Sequence, residues 1–441
     1  MSEFAAVPIR QDQLVAWPRV AAVAAMVGFS ILTFMTGLEV FKGLSPATAL
    51  WALLWGSLIT TVIGAIIGYI GAADRMSSYL LVRVAFGDKG AAIVNIALAI
   101  SLMGWFGVNI NLFMGATGRL LMEIWGVSVP KEVLAIIASL CMTFTTLVGF
   151  KAINLLSSLL IPALIIVTIL FTAAAFSENT FADFMAMEKP AMATGDNAMS
   201  IGDGISWVVG AVIIGAIILP DITRFMRAKS GAIYTSIMTY LVVGVLVMAS
   251  AGLAGASSGI FENFFGETYI SRSDTILDLM IAVNLGIGAF IIVIAGCWAL
   301  NSLNLYSTVL STKATFPKLN TKWLTIGLGA LGVIIALADI LHHFETFLWY
   351  LSAIFIPVAG VMMVDRLFIR PSAYTLETLA DNNTLNVTAF AAWVLGAAYA
   401  ILAESGTVAP VTKIGVLDAL LISVIVYFIL AKLFGRKVRA K

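Results

Sequence analysis

Twelve apolar stretches, at about 18–42, 46–72, 91–122, 132–150, 152–176, 204–222, 232–256, 277–310, 323–340, 344–364, 387–403 and 411–432, fill almost all of this 441-residue chain. A helical bilayer crossing needs roughly 20 apolar residues, and nearly all of the stretches are long enough. In lipid every backbone amide must be paired within its own structure, which leaves only helices and closed barrels. The stretches lack the period-2 alternation of barrel strands. The sequence therefore predicts an all-α polytopic membrane protein of 12 spans. Composition agrees: 61% of residues are hydrophobic and 11% charged, against the roughly 25% charged residues of a soluble domain. Mean hydropathy is +1.03.

Charge placement orients the chain. With the N-terminus in the cytoplasm and the spans alternating, the inner segments hold all 25 lysines and arginines except Lys42, Arg119, Lys131, Lys189, Arg272 and Lys413. This is the positive-inside bias, and moving a single span would scramble it. Both termini are expected in the cytoplasm, with the chain in the cytoplasmic (inner) membrane. The first run is too long for a signal-peptide core and lacks a small-residue cleavage site, so it reads as a retained span. The cysteines Cys141 and Cys297 lie within apolar runs, and the two histidines, His342 and His343, are adjacent in a short outer loop. No disulfide, metal site or cofactor is expected from them. The segment Ser77–Lys89 is amphipathic and too short to span, which suits the cytoplasmic interface.

Two runs carry helix-weakening residues. The first contains Gly28, Thr36 and Gly37, and the sixth contains Gly210, Gly215 and then Pro220. Glycine lets a helix unwind cheaply and proline removes a backbone donor. Interrupted spans at matching positions of two five-span sets point to an inverted-repeat secondary transporter. The alternative is that these glycines only allow neighbouring helices to approach closely.

Polar and aromatic residues inside the spans mark candidate binding groups. Trp105 and Asn109 are four apart and share a helix face. An aromatic plate beside an amide suits a flat heterocycle, by stacking and edge hydrogen bonds. Packing and a helix–helix hydrogen bond would use the same pair. Asn301 and Asn304 share a face in the eighth run, and amides in hydrocarbon must face protein or a watery cavity. Asp221 and Arg224 read as a structural clamp at the inner end of the sixth run. Glu39, the ionisable residue nearest the first run's glycines, is either a solvated vestibule residue or a proton-linked carboxylate.

Four segments in order resemble the nucleobase:cation symporter-1 family, in particular its bacterial cytosine permease branch. They are GYIGAADRMSSYLLVRVAFGDKG (Gly68–Gly90), GWFGV (Gly104–Val108), PDITRFMRAKSGA (Pro220–Ala232) and FLWYLSAIFIPVAGVMMVDRLF (Phe347–Phe368), with its Ser-Ala-x-x-x-Pro-x-x-Gly signature. The resemblance implies a leucine-transporter-like fold: two inverted five-helix repeats plus two C-terminal helices. Applied to this chain it gives a cytoplasmic tail over 1–17, repeats over 18–177 and 178–365, and two extra spans with a cytoplasmic tail over 366–441. It also implies a central pocket formed by Trp105, Asn109, Leu32, Thr36, Gly210, Ala211 and Val212, with Asn301 and Asn304 beside it. Leu102 stands where cytosine permeases have a glutamine, and Ala211, Val212 and Ile214 replace a serine–phenylalanine pair and a further serine. The family's sodium site maps to Gly28, Leu32, Gly296, Ala299 and Leu300. Sodium needs about five or six oxygen ligands, and these side chains offer none, so proton coupling or none is expected.

The function this implies is import of a nucleobase-like small heterocycle by alternating access, by a protein acting as a monomer among membrane lipid. A permease for another small solute is the alternative: a hydroxymethylpyrimidine-type vitamin precursor, a hydantoin, an allantoin-like ureide or an amine. The sequence shows no nucleophile–base constellation of an enzyme, no phosphate-binding glycine loop, no recurring pore motif of a channel and no nucleic-acid-binding signature.

Overall fold

Each of the twelve apolar runs forms helix over most of its length in a computed structural model, which describes residues 14–188, 199–258, 272–338, 340–372, 374 and 385–434. Of the charges used for orientation, Arg10, Lys189, Arg436, Lys437, Arg439 and Lys441 lie outside those residues. In chain order the helices are α1 (Trp17–Gly28), α2 (Ile31–Gly43), α3 (Pro46–Asp74), α4 (Ser78–Trp125), α5 (Lys131–Val148), α6 (Phe150–Ala175) and the short α7 (Phe181–Ala186). After them come α8 (Ile201–Ile217), α9 (Pro220–Thr223), α10 (Gly231–Ser257), α11 (Arg272–Ala282), α12 (Ile287–Thr315), α13 (Thr321–Leu337), α14 (Phe344–Val364), α15 (Val387–Glu404) and α16 (Gly415–Leu433). Among the described residues, 8 helices are individually long and apolar enough to cross a membrane, and the bent pair α1–α2 makes a ninth. Three further apolar helices are shorter, Leu159–Ala175, Thr321–Leu337 and Val387–Ala403.

The first run is broken, as expected, but not at Gly37. α1 and α2 meet at 47°, and the break is Phe29–Ser30. Ser30 caps α2: its Oγ accepts from the Thr33 backbone N–H at 3.1 Å. Thr33 Oγ1 donates to the Val27 carbonyl at 3.0 Å. The Thr33 proton is thus used, so the 2.8 Å contact between the two hydroxyls has Ser30 as donor. One orphan amide and one orphan carbonyl of the break are thereby satisfied inside an apolar bundle. A cap of this kind contributes about 1 kcal/mol.

The expected openings at Gly37 and Gly210 are corrected. α2 and α8 run unbroken through both. A Cβ on Gly37 would lie 2.1 Å from the Met248 carbonyl oxygen, and one on Gly210 would lie 1.9 Å from that of Leu348. Both glycines exist for close helix approach. The sixth run is irregular further on, at Ile218–Leu219, where Pro220 opens α9 at the helical position that needs no amide donor, and α8 with α9 still makes one span over Ile201–Thr223.

Helix contacts come in reciprocal pairs. α2 packs on α10 while α3 packs on α8, and α4 packs on α13 while α5 packs on α12. Exchanging the first five runs for the second five maps each pair onto the other, which is the signature of an internal pseudo-two-fold. α15 and α16 pack on each other, and α16 also lies on α14.

The amphipathic segment forms the start of α4, separated from the long apolar part by Gly87 at φ 74°. Asp221 Oδ1 accepts from both the backbone N–H and the hydroxyl of Ser78, each at 2.9 Å. A carboxylate at a helix N-terminus is favoured by the exposed amides and the dipole. The expected Asp221–Arg224 clamp is thus modified: Arg224 Nε donates to the Asp221 backbone oxygen at 3.2 Å, and the carboxylate reaches the interfacial helix. Tyr79 donates to the Ser307 carbonyl at 3.0 Å, tying the same helix to α12. Arg75, in a left-handed conformation after α3, donates to the carbonyls of Arg224 and Met226. Val15 forms a short bridge to Met226, so the end of the N-terminal tail lies on the loop after α9.

Candidate functional site

Trp105 is buried near the middle of α4, at 5% exposure. Its ring meets Phe347 at 5.1 Å and Phe344 at 6.0 Å, both edge-on at 74°. Gly104, one residue earlier, makes room: a Cβ there would lie 2.6 Å from the Phe347 ring. The indole is therefore enclosed by α14 and does not face lipid. Leu348, next to Phe347, carries the carbonyl against which Gly210 packs. Trp105, Phe347, Leu348 and Gly210 thus form one layer from α4 through α14 to α8.

Asn109 stands one turn on and is 1% exposed. Its Nδ2 donates to the Trp105 carbonyl at 2.8 Å, while its Oδ1 is buried without a partner. A buried amide oxygen left open beside an indole is a ready acceptor for a solute N–H. The neighbouring Asn111 instead ties α4 to α13, donating to the Ala336 carbonyl at 2.8 Å.

The other expected binding residues are less available. Thr36 Oγ1 donates to the Leu32 carbonyl of its own helix at 2.8 Å. Asn301 Nδ2 donates to the Phe106 carbonyl at 2.9 Å, and Asn304 Nδ2 reaches Asn301 Oδ1 at 3.4 Å. The Asn301 bond holds α12 to α4, and Asn304 braces Asn301 within α12. Leu32 and Val212 are buried, and Ala211 is half-buried.

At the mapped ion position, a Cβ on Gly296 would come within 3.2 Å of Ile31, so α12 does approach the chain just past the break. A Cβ on Gly28 would meet Thr239 and Val243 of α10. Ala299 is buried and Leu300 half-buried, and neither carries a side-chain oxygen. Glu39 is only 8% exposed and pairs with Lys42 at 3.5 Å, so the solvated-vestibule reading does not hold.

A cavity of about 490 Å³ opens on the side of the break that carries the N-terminus, between α1, α8–α9, α10 and α12. Val27, Ile218, Asp221, Tyr240, Leu303 and Tyr306 are among its lining residues. None of the nine residues expected to bind substrate lines it. Sequence reasoning missed both this cavity and the aromatic cover from Phe344 and Phe347. An available signal was the hydroxyl-bearing stretch Tyr234, Thr235, Ser236, Thr239 and Tyr240 at the start of the seventh run.

A first run broken at Phe29–Ser30, a sixth run irregular before Pro220, reciprocal packing of two halves and a buried aromatic–amide pair point to a transporter of the leucine-transporter-like class. The family profile described as permease for cytosine/purines, uracil, thiamine, allantoin matches residues 20–430, and the chain belongs to that family. Cytosine permease of Escherichia coli strain K12 is 27% identical over 412 residues, covering 93% of this chain and 90% of the relative. Among solved structures, the inward-facing conformation of Mhp1 superposes with a TM-score of 0.79 at 17% identity, covering 97% of this chain and 93% of that one. Mhp1, a nucleobase-cation-symport-1 family transporter, closed with bromovinylhydantoin bound, gives 0.75 at 17% identity, covering 97% and 96%. A sodium-coupled sialic acid symporter gives 0.65 at 15% identity, covering 98% and 91%. The chain is a membrane transporter of the permease family and not an enzyme.

Proposed function

We propose that this protein imports a nucleobase-like small heterocycle across the cytoplasmic membrane by alternating access. In this reading the chain crosses the membrane twelve times with both termini in the cytoplasm. The repeats run over 18–177 and 178–365, with two extra spans in 366–441, and the monomer is the working unit. The observation that carries the reading is the open Asn109 Oδ1 beside the buried Trp105 ring. The ring stacks on a flat solute and the amide oxygen accepts one of its N–H groups. Phe347 supplies an aromatic contact that the sixth run, with Ala211, Val212 and Ile214, does not. Movement of α14 away from Trp105 would free the ring face for the solute.

Coupling is to protons rather than sodium, because Ala299 and Leu300 supply no hard oxygen ligands. Glu39, buried beside Lys42, is the carboxylate proposed to take part.

A second reading is a permease for another small solute: a hydroxymethylpyrimidine-type vitamin precursor, a hydantoin, an allantoin-like ureide or an amine. The apolar surface of α8 favours it, since a cytosine edge would be left partly unpaired there. A thermal-shift screen of the purified protein separates the two, because a ligand that binds only the native state raises its melting temperature. Cytosine, uracil, hydantoin, thiamine and allantoin are tested with sodium and with potassium. The first reading expects stabilisation by a nucleobase, equal in both salts. Stabilisation by a non-nucleobase alone supports the second, and a shift that requires sodium refutes the coupling assignment.

A further inference from the structure

We propose that the cavity between α1, α9, α10 and α12 is a second solute site, distinct from the Trp105 pocket, for a small neutral heterocycle that presents an N–H donor. The proposal rests on the transport reading above for its physiological meaning, but binding at the cavity can be measured without transport.

A buried, unpartnered hydroxyl and a carboxylate single the cavity out. Tyr240 is 2% exposed, and its hydroxyl has no hydrogen-bond partner. Asp221, which also lines the cavity, accepts from Ser78 through Oδ1 and lies beside Tyr79 and Arg224. Buried polar groups are almost always paired, so the open hydroxyl bordering the cavity calls for an occupant. Between them the walls are hydrocarbon, from Val27, Ile218 and Leu303 among others. Gly215 keeps the approach to the hydroxyl clear: a Cβ there would stand 3.4 Å from Tyr240 Oη and 3.0 Å from Val27.

This chemistry selects its ligand. A carboxylate oxygen only accepts, so the solute must donate. Arg224 beside Asp221 offsets the carboxylate charge, so a neutral donor suffices and a full cation is not needed. The Tyr240 hydroxyl can give or take a hydrogen bond at another edge of the ring. Apolar walls then hold the faces of a flat ring. The volume, about 490 Å³, falls within the range of roughly 300–1,000 Å³ usual for small-molecule pockets. A solute released past the Phe29–Ser30 break toward the N-terminal side would enter this cavity, which gives it a holding site before the cytoplasm.

The test is equilibrium binding of 4-aminopyrimidine to purified full-length protein in lipid nanodiscs, with pyrimidine, which lacks the donor, as control. The wild type should show two classes of site for 4-aminopyrimidine, the inner class absent for pyrimidine. Tyr240→Phe, which keeps the ring and its packing, should weaken one class roughly fivefold, as loss of a hydrogen bond would. Asp221→Asn, which retains an acceptor for Ser78, should weaken the same class. Trp105→Ala should remove only the other. A single class that Trp105→Ala abolishes and Tyr240→Phe leaves unchanged overturns the inner site while the central pocket stands. A single class weakened in Tyr240→Phe and kept in Trp105→Ala supports the inner site and refutes the central one. Water alone in the cavity would show as no binding sensitive to Tyr240→Phe, and that also overturns the proposal.

Discussion

Trp105→Ala should abolish saturable uptake while leaving the amount of protein in the membrane unchanged. Stacking of a base on an aromatic ring is worth about 1–3 kcal/mol by alanine substitution, so apparent affinity should fall by one to two orders of magnitude. The ring also meets Phe344 and Phe347, and its loss leaves a gap on the face where the solute must sit. Trp105→Phe keeps a stacking surface and should recover part of the activity. Initial uptake rates, normalised to membrane protein by immunoblot, check this. Full transport in the alanine variant would remove the indole from the site.

Gly210→Ala should damage both stability and transport. The added methyl would lie 1.9 Å from the Leu348 carbonyl oxygen, a backbone atom that cannot swing aside. Overpacking of this kind costs about 1–3 kcal/mol and occasionally more. The displacement acts on α8 and on α14 beside Phe347, so the aromatic cover of Trp105 shifts with it. Melting temperature and uptake should fall together. Gly288→Ala is the control: a Cβ there has no neighbour within 4 Å, and its melting temperature should be unchanged or raised. A Gly210→Ala protein that melts like the wild type would show that the α8–α14 contact is not tight.

These two residues also mark what could and could not be read from the chain. Spans were legible because bilayer thickness imposes a length on apolar runs, and the first and sixth runs were legible as weak helices. The residues where they give way were not. Gly37 and Gly210 looked like openings, yet the structure uses them for backbone contact with Met248 and Leu348, partners distant in sequence. The actual break in the first run carries a polar cap, Ser30 with Thr33, which is a local pattern and was available. The partnership of Trp105 with Asn109 followed from helical spacing alone. Its partnership with Phe344 and Phe347 did not, because it depends on how α14 folds back across α4. Asn301 and Asn304 were legible as amides that must face protein, but not as the Asn301 bond that fastens α12 to α4 with Asn304 bracing it. The cavity around Tyr240 draws on four separated segments, and no single stretch of sequence reports it.

The most direct measurement is solute counterflow in proteoliposomes containing the purified protein, preloaded with unlabelled cytosine, uracil, thiamine or allantoin and diluted into the same labelled compound. A carrier that presents one pocket alternately to each side predicts transient, saturable accumulation of label for at least one of these, and its loss in Trp105→Ala. Flux that rises linearly with concentration and ignores the preloaded solute, or exchange that persists in that variant, would contradict the account.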